Sequence, residues 1–474
     1  MARCERRGTN MENWAESELG AADFGDKRLT ERFVKIATDI AANPEGSVPQ
    51  ASGGWAGTKG AYRFWDNEKV TPERIRESHR EQAVERAKEY GAILAIQDTM
   101  AVNYATHKTT KGLGPIDAHG TQGVLVHSVL AVSPDGVPCG LVHQQVWSRN
   151  KEDLRTKEER KKLPIEEKES YRWLESVEAT KNAVSSETHI ITVADREADI
   201  FELFVLPRPN NMDLLIRATQ NRRVQVEDPK LKKLWESVEA APESSETMTT
   251  HLEHKPGVPA RDVTFTLQWR TLTILVPSHK KKKYQNVTLT AILVTETEPP
   301  EGAEPLSWLL LTSLKVETFA QAALCVVWYR LRWLIERYHF VLKSGCGLEN
   351  LQLETAERLE RALATFCVVA WRLLWLTYQA RQTPNASCEA AFQTHEWQAL
   401  YAFTHKTNVL PPAPPSLHEA TLLVAKLGGF LARASDGEPG VKTIWRGLRR
   451  LDDLASMWLL LHSFTPPTDL MSYG

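Results

Sequence analysis

Four residues, Tyr329, Arg332, Glu336 and Lys343, lie at offsets 0, 3, 7 and 14 along one segment. On a helix turning about 100° per residue they share about 60° of circumference. That row presents a phenol, a guanidinium, a carboxylate and an ammonium. Val327, Leu331, Leu334, Ile335, Val341 and Leu342 fall on the other side, as a core-facing stripe would. Arg332 and Glu336 are also an i, i+4 pair, so a solvated face with helix ion pairs is the plain alternative. Trp328 and Trp333 beside the row are unlike the mixed Lys and Glu of such a face.

Two aspartates follow apolar runs. Asp195 ends IITVA and opens the charge-dense Arg196-Glu197-Ala198-Asp199; Asp98 ends ILAIQ. Carboxylates at strand C-termini lie where open α/β sheets place their chemistry, although a lone Asp after a strand is more often a cap or turn residue. Three carboxylates brought together repel, and a hard divalent cation between them relieves the repulsion. Mg2+ prefers oxygen ligands and keeps open positions for water and phosphate oxygens. Two such ions, with Mn2+ as a substitute, would clamp the attacking and leaving oxygens of a phosphoryl displacement. Arg332 as a fork and Lys343 as a point charge would hold phosphates, and Tyr329 would donate its hydroxyl. These residues therefore point to a metal-dependent phosphodiester enzyme. A paired-carboxylate glycosidase fits less well, because Arg and Lys beside the acid suit phosphate better than sugar. No Walker loop, H-E-x-x-H or G-x-S-x-G occurs.

The elements that must position these groups are legible in outline. Leu29, Phe33, Ile36, Ala37 and Ile40 predict a helix over 27–42, NPEGSVPQASGG a loop, and further helices near 55–65 and from Thr71-Pro72-Glu73 to about Tyr90. From Ala92 the period changes. ILAIQD, GVLVHSVLAVS and GLVHQQVWSR read as strands, the last two joined by the turn SPDGVP. A charged helix over Glu166 to Val184, the strand in HIITVADREAD, an apolar helix in DIFELFVL and the strand DLLIRAT follow, an α/β layout. VTFTLQW, TLTILV and VTLTAILV mark an inserted β-subdomain over about 222–306, with Lys280 to Lys283 at a turn. One long helix over about Thr318 to Ser344 carries the row, and the remainder is helical, broken at VLPPAPPS. The expected division is 1–78 helical, 79–375 catalytic and 376–474 helical.

Composition bounds the rest. The chain has 474 residues, 42% hydrophobic and 25% charged, the balance of a globular protein. Its longest apolar stretch, Ala362 to Trp371, is too short to span about 30 Å of hydrocarbon, so no membrane partner is expected. No apolar run follows the basic N-terminus, which argues against a signal peptide. Formal net charge is −2, which argues against coating nucleic acid by bulk charge but leaves room for a local basic track. Six scattered cysteines without C-x-x-C argue against a disulfide framework or zinc site and fit a reducing cytoplasm.

At these residues the sequence resembles a known family. Y-x2-R-x3-E-x6-K, borne by Tyr329, Arg332, Glu336 and Lys343, is similar to the signature of DD-E transposases of bacterial insertion sequences, of the Tn-five type in the insertion-sequence-four family. TVADREADI and AIQDTMAVNY resemble its other catalytic segments, GDKRLTERF and GAYRFWDN its DNA-end-binding domain, and LGGFLARASDGEPGVKTIWRGLRRL its dimerisation region. The resemblance implies a ribonuclease H-like α/β core with an inserted β-subdomain, and Asp98, Asp195 and Glu336 as Mg2+ ligands. It implies a nucleoid-associated, cut-and-paste enzyme that binds transposon end repeats in double-stranded DNA. Such an enzyme cleaves by hydrolysis and hairpin formation and joins the 3′ ends to target DNA as a homodimer. Trp308 matches a position that stacks a flipped base, and Arg217 a DNA-contacting arginine; a core tryptophan and a surface arginine are the alternatives. Gln97 departs from the acid common before the first aspartate. The first ten residues extend beyond the resemblance, so Met1 and Met11 are alternative starts; the retained N-terminal segment implies full-length enzyme. A non-catalytic or inhibitory relative would lack one of the three acids, and none is missing. A metal nuclease of unrelated biology is disfavoured by the Tyr-Arg-Glu-Lys row.

Overall fold

The computed structural model describes residues 13–150, 157–228, 230, 232–252, 260–302, 304–433 and 436–463. The two alternative starts and Cys4 lie outside them. Five helices precede the first strand: α1 (Trp14–Leu19), α2 (Lys27–Ala42), α3 (Val48–Ala51), α4 (Trp55–Trp65) and α5 (Pro72–Lys88). Asp26 caps α2 by accepting from the Arg28 N–H. Thr71 caps α5, and Pro72 occupies the first helical position, where its missing N–H costs nothing. The expected apolar face of α2 is buried. Phe33 stacks on Phe64 at 5.6 Å, and Phe24 meets both edge-on.

Strands β1 (Ala92–Asn103), β2 (Gly114–Pro115), β3 (Gln122–Val132) and β4 (Pro138–Trp147) follow. Then come α6 (Lys157–Lys162), α7 (Arg172–Ala183), β5 (His189–Ala194), α8 (Phe201–Phe204) and β6 (Met212–Arg217). Segment 222–306 supplies β7 (Val224–Gln225), α9 (Leu234–Glu239), β8 (Thr247–Leu252), β9 (Arg261–Ile274) and β10 (Val287–Glu296). The chain closes with β11 (Ser307–Thr312), α10 (Phe319–Arg330), α11 (Trp333–Phe340), α12 (Ala356–Gln382), α13 (Thr394–His405), α14 (Leu417–Leu427) and α15 (Val441–Ser463).

The eleven strands among the described residues form one mixed sheet, ordered β2-β3-β1-β5-β6-β11-β10-β9-β7, with β4 on β3 and β8 on β9. β1, β5 and β6 are parallel, and β3 runs against both β1 and β4. The order β4-β3-β1-β5-β6 with β3 reversed is a ribonuclease H-like core. Alternation along β1 sorts its side chains. Leu94 and Ile96 join an apolar layer with α10, α11 and α12, while Ile93 and Ala95 face the layer of α7 and α8.

Several expectations are corrected. The insertion is β-rich as read, and its strands continue the core sheet through β10, β11 and β6. VTFTLQW and TLTILV are one strand, β9, because nothing between them breaks the ladder to β10. DIFELFVL holds a single helical turn, and Glu166 to Tyr171 forms two short 3-10 turns before α7 begins. β1 continues through Asp98 to Asn103, paired throughout with β3, so Asp98 is within the strand and not at its end.

Buried and partly buried polar bonds tie the N-terminal helices to α12 and to α15. Trp65 Nε1 donates to Thr365 Oγ1 at 3.2 Å, and Trp445 Nε1 to Glu45 Oε1 at 2.6 Å. α14 and α15 cross so closely that a Cβ on Gly447 would lie 1.8 Å from the Val424 carbonyl oxygen, which restricts that position to glycine. Glu18 of α1 is buried between His79 and Arg86 of α5. It accepts from His79 Nδ1 at 2.5 Å and from both Arg86 terminal nitrogens at 2.7 and 2.9 Å, while His79 Nε2 accepts the Leu141 N–H at 2.9 Å. Burial alone would raise the Glu18 carboxyl; the His79 and Arg86 donors outweigh it and hold it down at about 2. Because this lies below the ordinary 4.5, the stabilisation is complete above pH 4.5 and is lost as pH falls towards 2. Glu18→Ala should therefore cost about 3–5 kcal/mol by leaving buried donors unpaired. Urea unfolding at pH 7 checks this, and an unchanged midpoint would refute it.

Candidate active site

The parallel ladder of β1 and β5 ends at the pair Gln97 and Ala194. The next residues are Asp98, still within β1, and Asp195, the first residue past β5, following strands whose backbones are about 4.8 Å apart. Both project into the layer covered by α10 to α12, as Ile96 and Val193 do two residues before. Asp195 is also the cap residue the plain alternative foresaw, since its Oδ1 accepts the Glu197 N–H at 2.8 Å. The other Asp195 oxygen is left for a second partner. Asp98 is 18% exposed. Burial first, and then the negative charges of Asp195 and Glu336, push its carboxyl up to about 7, against the pull of the Thr99 N–H and Arg332.

The third acid comes from the α10–α11 segment, which is not one straight helix. The Leu331, Arg332, Leu334 and Ile335 N–H groups each bond the carbonyl three residues back, a 3-10-like tightening that separates α10 from α11. After Phe340 the chain widens into a π turn over Val341–Gly345. The even angular spacing expected of the row therefore does not persist. Nor is the row a solvent face: Tyr329 is 9% exposed, and the Arg332 side chain 16%. Val327, expected in the core, is exposed instead.

Despite the break, most of the expected groups converge. Arg332 is ion-paired and hydrogen-bonded to Glu336. Tyr329 bonds Arg332 and lies within electrostatic reach of Arg217 and Asp195; burial dominates and raises its phenol, so it stays a donor. Lys343 is turned by the π segment towards Glu349, at 3.6 Å. Trp308, the second residue of β11, lies two residues before Leu310, the strand partner of Arg217, and so shares its face. It is half-buried, edge-on to Phe265 at 5.1 Å, with a buried Nε1 that has no partner. Of the four lysines at the turn, Lys280 pairs with Glu202 and Lys283 with Glu166.

Three residues at the site were not anticipated. His339 Nδ1 lies 3.7 Å from Asp98 Oδ2. Burial, then the charges of Lys343 and Arg332, lower that histidine to about 3, so it is neutral. Its position three residues after Glu336 was a usable signal. Behind the sheet, His127 and Arg172 meet at Thr99. Only the alternation of β1 and β3 would have shown that pairing.

The donor set suits a hard divalent cation. Carboxylate oxygens on neighbouring chain segments, one of them raised to about 7 by burial and then by the other acids, are hard oxygen donors that a divalent cation would bring to full ionisation. The set is not closed, however. Among the described residues no three His, Cys, Asp or Glu side chains are gathered closely enough to hold an ion as they stand, and Glu336 is occupied by Arg332.

A ribonuclease H-like sheet with acids on adjacent parallel strands is the framework of a DDE enzyme, and comparison with known families agrees. Residues 149–371 match the family described as Transposase DDE domain, whose members cleave DNA and transfer strands with divalent metal ions. Residues 11–70 match Transposase DNA-binding, and 368–457 match Transposase Tn5 dimerisation domain. The chain belongs to the Tn5-type DDE transposases, DNA-binding proteins that form dimers. Asp195 and Glu336 lie inside the DDE match; Asp98 lies outside all three, and its place in the site rests on strand register. Among the described residues no helix is long and apolar enough to cross a membrane.

The raised Asp98 carboxyl carries a cost. Its native value of about 7 lies above the ordinary 3.8, so without metal the fold loses stability as pH rises from about 4 to 7. Asp98→Asn should stabilise the metal-free protein at pH 8, by at most on the order of 4 kcal/mol, and not at pH 4. Urea midpoints in a chelating buffer test this; equal midpoints at pH 8 would contradict it.

Proposed function

We propose that the chain is a cut-and-paste transposase that uses Asp98, Asp195 and Glu336 to hold two Mg2+ ions, with Mn2+ as a substitute. The observation that carries this is the side-by-side register of Asp98 and Asp195, with the Asp98 carboxyl raised by burial first and then by the charges of Asp195 and Glu336. The bound ions would supply charge neutralisation and an activated oxygen nucleophile. The chain's own residues do the rest. Arg332 and Arg217 offer guanidinium forks to the phosphates of the strand being cut. Tyr329, kept protonated by burial, donates a hydrogen bond to a phosphate oxygen. Lys343, one-third exposed, adds a point charge further along the strand. The ion pair with Glu336 keeps Arg332 oriented until DNA arrives.

The substrates are transposon end repeats and target DNA. Water attacks the phosphorus at the end and the 3′-oxygen leaves. That 3′-hydroxyl attacks the opposite strand, closing a hairpin and releasing flanking DNA. Water reopens the hairpin, and the same 3′-hydroxyl attacks the target phosphodiester, displacing a target 3′-oxygen. Trp308 stacks a base flipped out beside the hairpin, a contact contributing about 1–3 kcal/mol. The division into an end-binding domain (1–78), a catalytic domain (79–375) and a dimerisation domain (376–474) serves this sequence. A homodimer pairs two ends, each subunit cutting the end held mainly by the other. Exposed Met457, Leu459, Leu460 and Leu461 on α15 support docking of the second copy there. Five free cysteines buried in the described residues suit a reducing, nucleoid-associated setting in a bacterial cytoplasm.

The test is incubation with the element's own terminal repeats, target DNA and Mg2+ or Mn2+, with products mapped on both strands. Nick, hairpin and joined product should appear in that order. Asp98→Ala, Asp195→Ala and Glu336→Ala should each abolish all three while retaining end binding; near-normal nicking by any one would remove that residue from the site. Trp308→Ala should slow hairpin closure more than nicking, and equal loss at both steps would leave it only a packing role.

A further inference from the structure

We propose that Arg172 is a positioning residue that sets the separation of Asp98 and Asp195 from behind the sheet. The inference rests on the metal-site reading above and adds to it a group that touches neither acid. Arg172 opens α7, on the face of the sheet opposite the candidate site. Its Nε donates to Thr99 Oγ1 at 2.9 Å, one terminal nitrogen to the Glu169 carbonyl at 2.9 Å, and the other to Glu197 Oε2 at 3.1 Å. The Trp147 and Trp173 rings flank the guanidinium at 5.8 and 5.3 Å. The side chain is 14% exposed.

Each end of this fork reaches a catalytic aspartate through one intermediary. Thr99 follows Asp98 on β1. Because its Oγ1 accepts from Arg172, its own hydroxyl hydrogen is free for His127 Nδ1, 2.8 Å away. His127 then directs its Nε2–H towards Gln97 Oε1 at 3.4 Å. Both chain neighbours of Asp98 are thus held by one chain of donors, with Gln97 acting as the neutral acceptor that ends it. At the other end, Glu197 is the residue whose N–H binds Asp195 Oδ1 at 2.8 Å. With three N–H groups engaged and little exposure, Arg172 is unsuited to gripping a phosphate. Its effect should appear in metal affinity and not in DNA affinity. Groups that orient metal ligands at one remove typically change metal affinity or activity by 10–100-fold when removed.

The experiment measures Mn2+ binding by calorimetry and spin resonance on the full chain without DNA, beside end-DNA affinity and the urea midpoint. Arg172→Met and Thr99→Val should each weaken Mn2+ binding about 10–100-fold and leave end-DNA affinity unchanged. They should lower kcat for nicking, with partial rescue by added Mn2+. The double variant should be no worse than Arg172→Met alone, because both break one chain. Wild-type Mn2+ affinity in Thr99→Val and Arg172→Met would overturn the inference. So would a loss of end-DNA affinity with Mn2+ binding intact. If Arg172→Met does not fold, Thr99→Val decides alone. Asp98→Asn separates the two levels: if it binds Mn2+ normally, the metal-site reading fails; if it loses Mn2+ while the Arg172 and Thr99 variants keep it, only the positioning role fails.

Discussion

The structure depends on holding like charges together against their repulsion. Two carboxylates one strand apart, in a layer otherwise lined by Ile96, Val193, Leu334 and Ile335, would separate if either strand could slide. They cannot, because β1 and β5 are paired over six residues, and a register slip of one would bury the wrong face of both. The repulsion is absorbed by protonation. Asp98 keeps its proton to about pH 7, and Glu336 pairs with the Arg332 guanidinium. The metal-free state is thus a compromise between sheet register and electrostatics. Neutralising cations would resolve it by replacing a proton and freeing Glu336 from Arg332.

This explains the shape of the α10–α11 segment. A straight helix would place its polar row by angle alone. The tightening at Leu331 and Arg332 and the widening after Phe340 instead let each side chain answer to its neighbours in the sheet. Tyr329 and Arg332 are drawn inward to Asp195 and Asp98, while Lys343 is released towards Glu349. Interruptions of this kind recur where backbone geometry serves a site.

The sequence carried α2, α4 and α5 because their apolar spacing and caps are local signals, and β3, β4, β5 and β6 because short apolar runs end in polar turns. It carried Asp98, Asp195 and Glu336 as separate residues. That Asp98 and Asp195 lie side by side, beneath the segment that bears Glu336, was not legible from spacing, since it depends on a parallel pairing across 97 residues and on helices packed over both strands. The broken helix was illegible for a related reason: nothing in Tyr329 to Phe340 is a Gly or Pro, and the break comes from tertiary contacts. The insertion was read as strands but not as part of the same sheet, because edge continuity through β11 is set by partners far along the chain. Arg172 and His127 were missed because a buried Arg and His in strands and helix starts carry no periodic signature.

The central claim is that the three acids form one divalent-ion site, and the most direct measurement is metal-directed cleavage of the protein backbone. Fe2+ would replace the native ion, and ascorbate with peroxide would generate hydroxyl radicals at the bound metal. The account predicts three clusters of cuts, around residues 98, 195 and 336, all suppressed by excess Mg2+. Cuts at one acid alone, or clusters elsewhere in the chain, would contradict it.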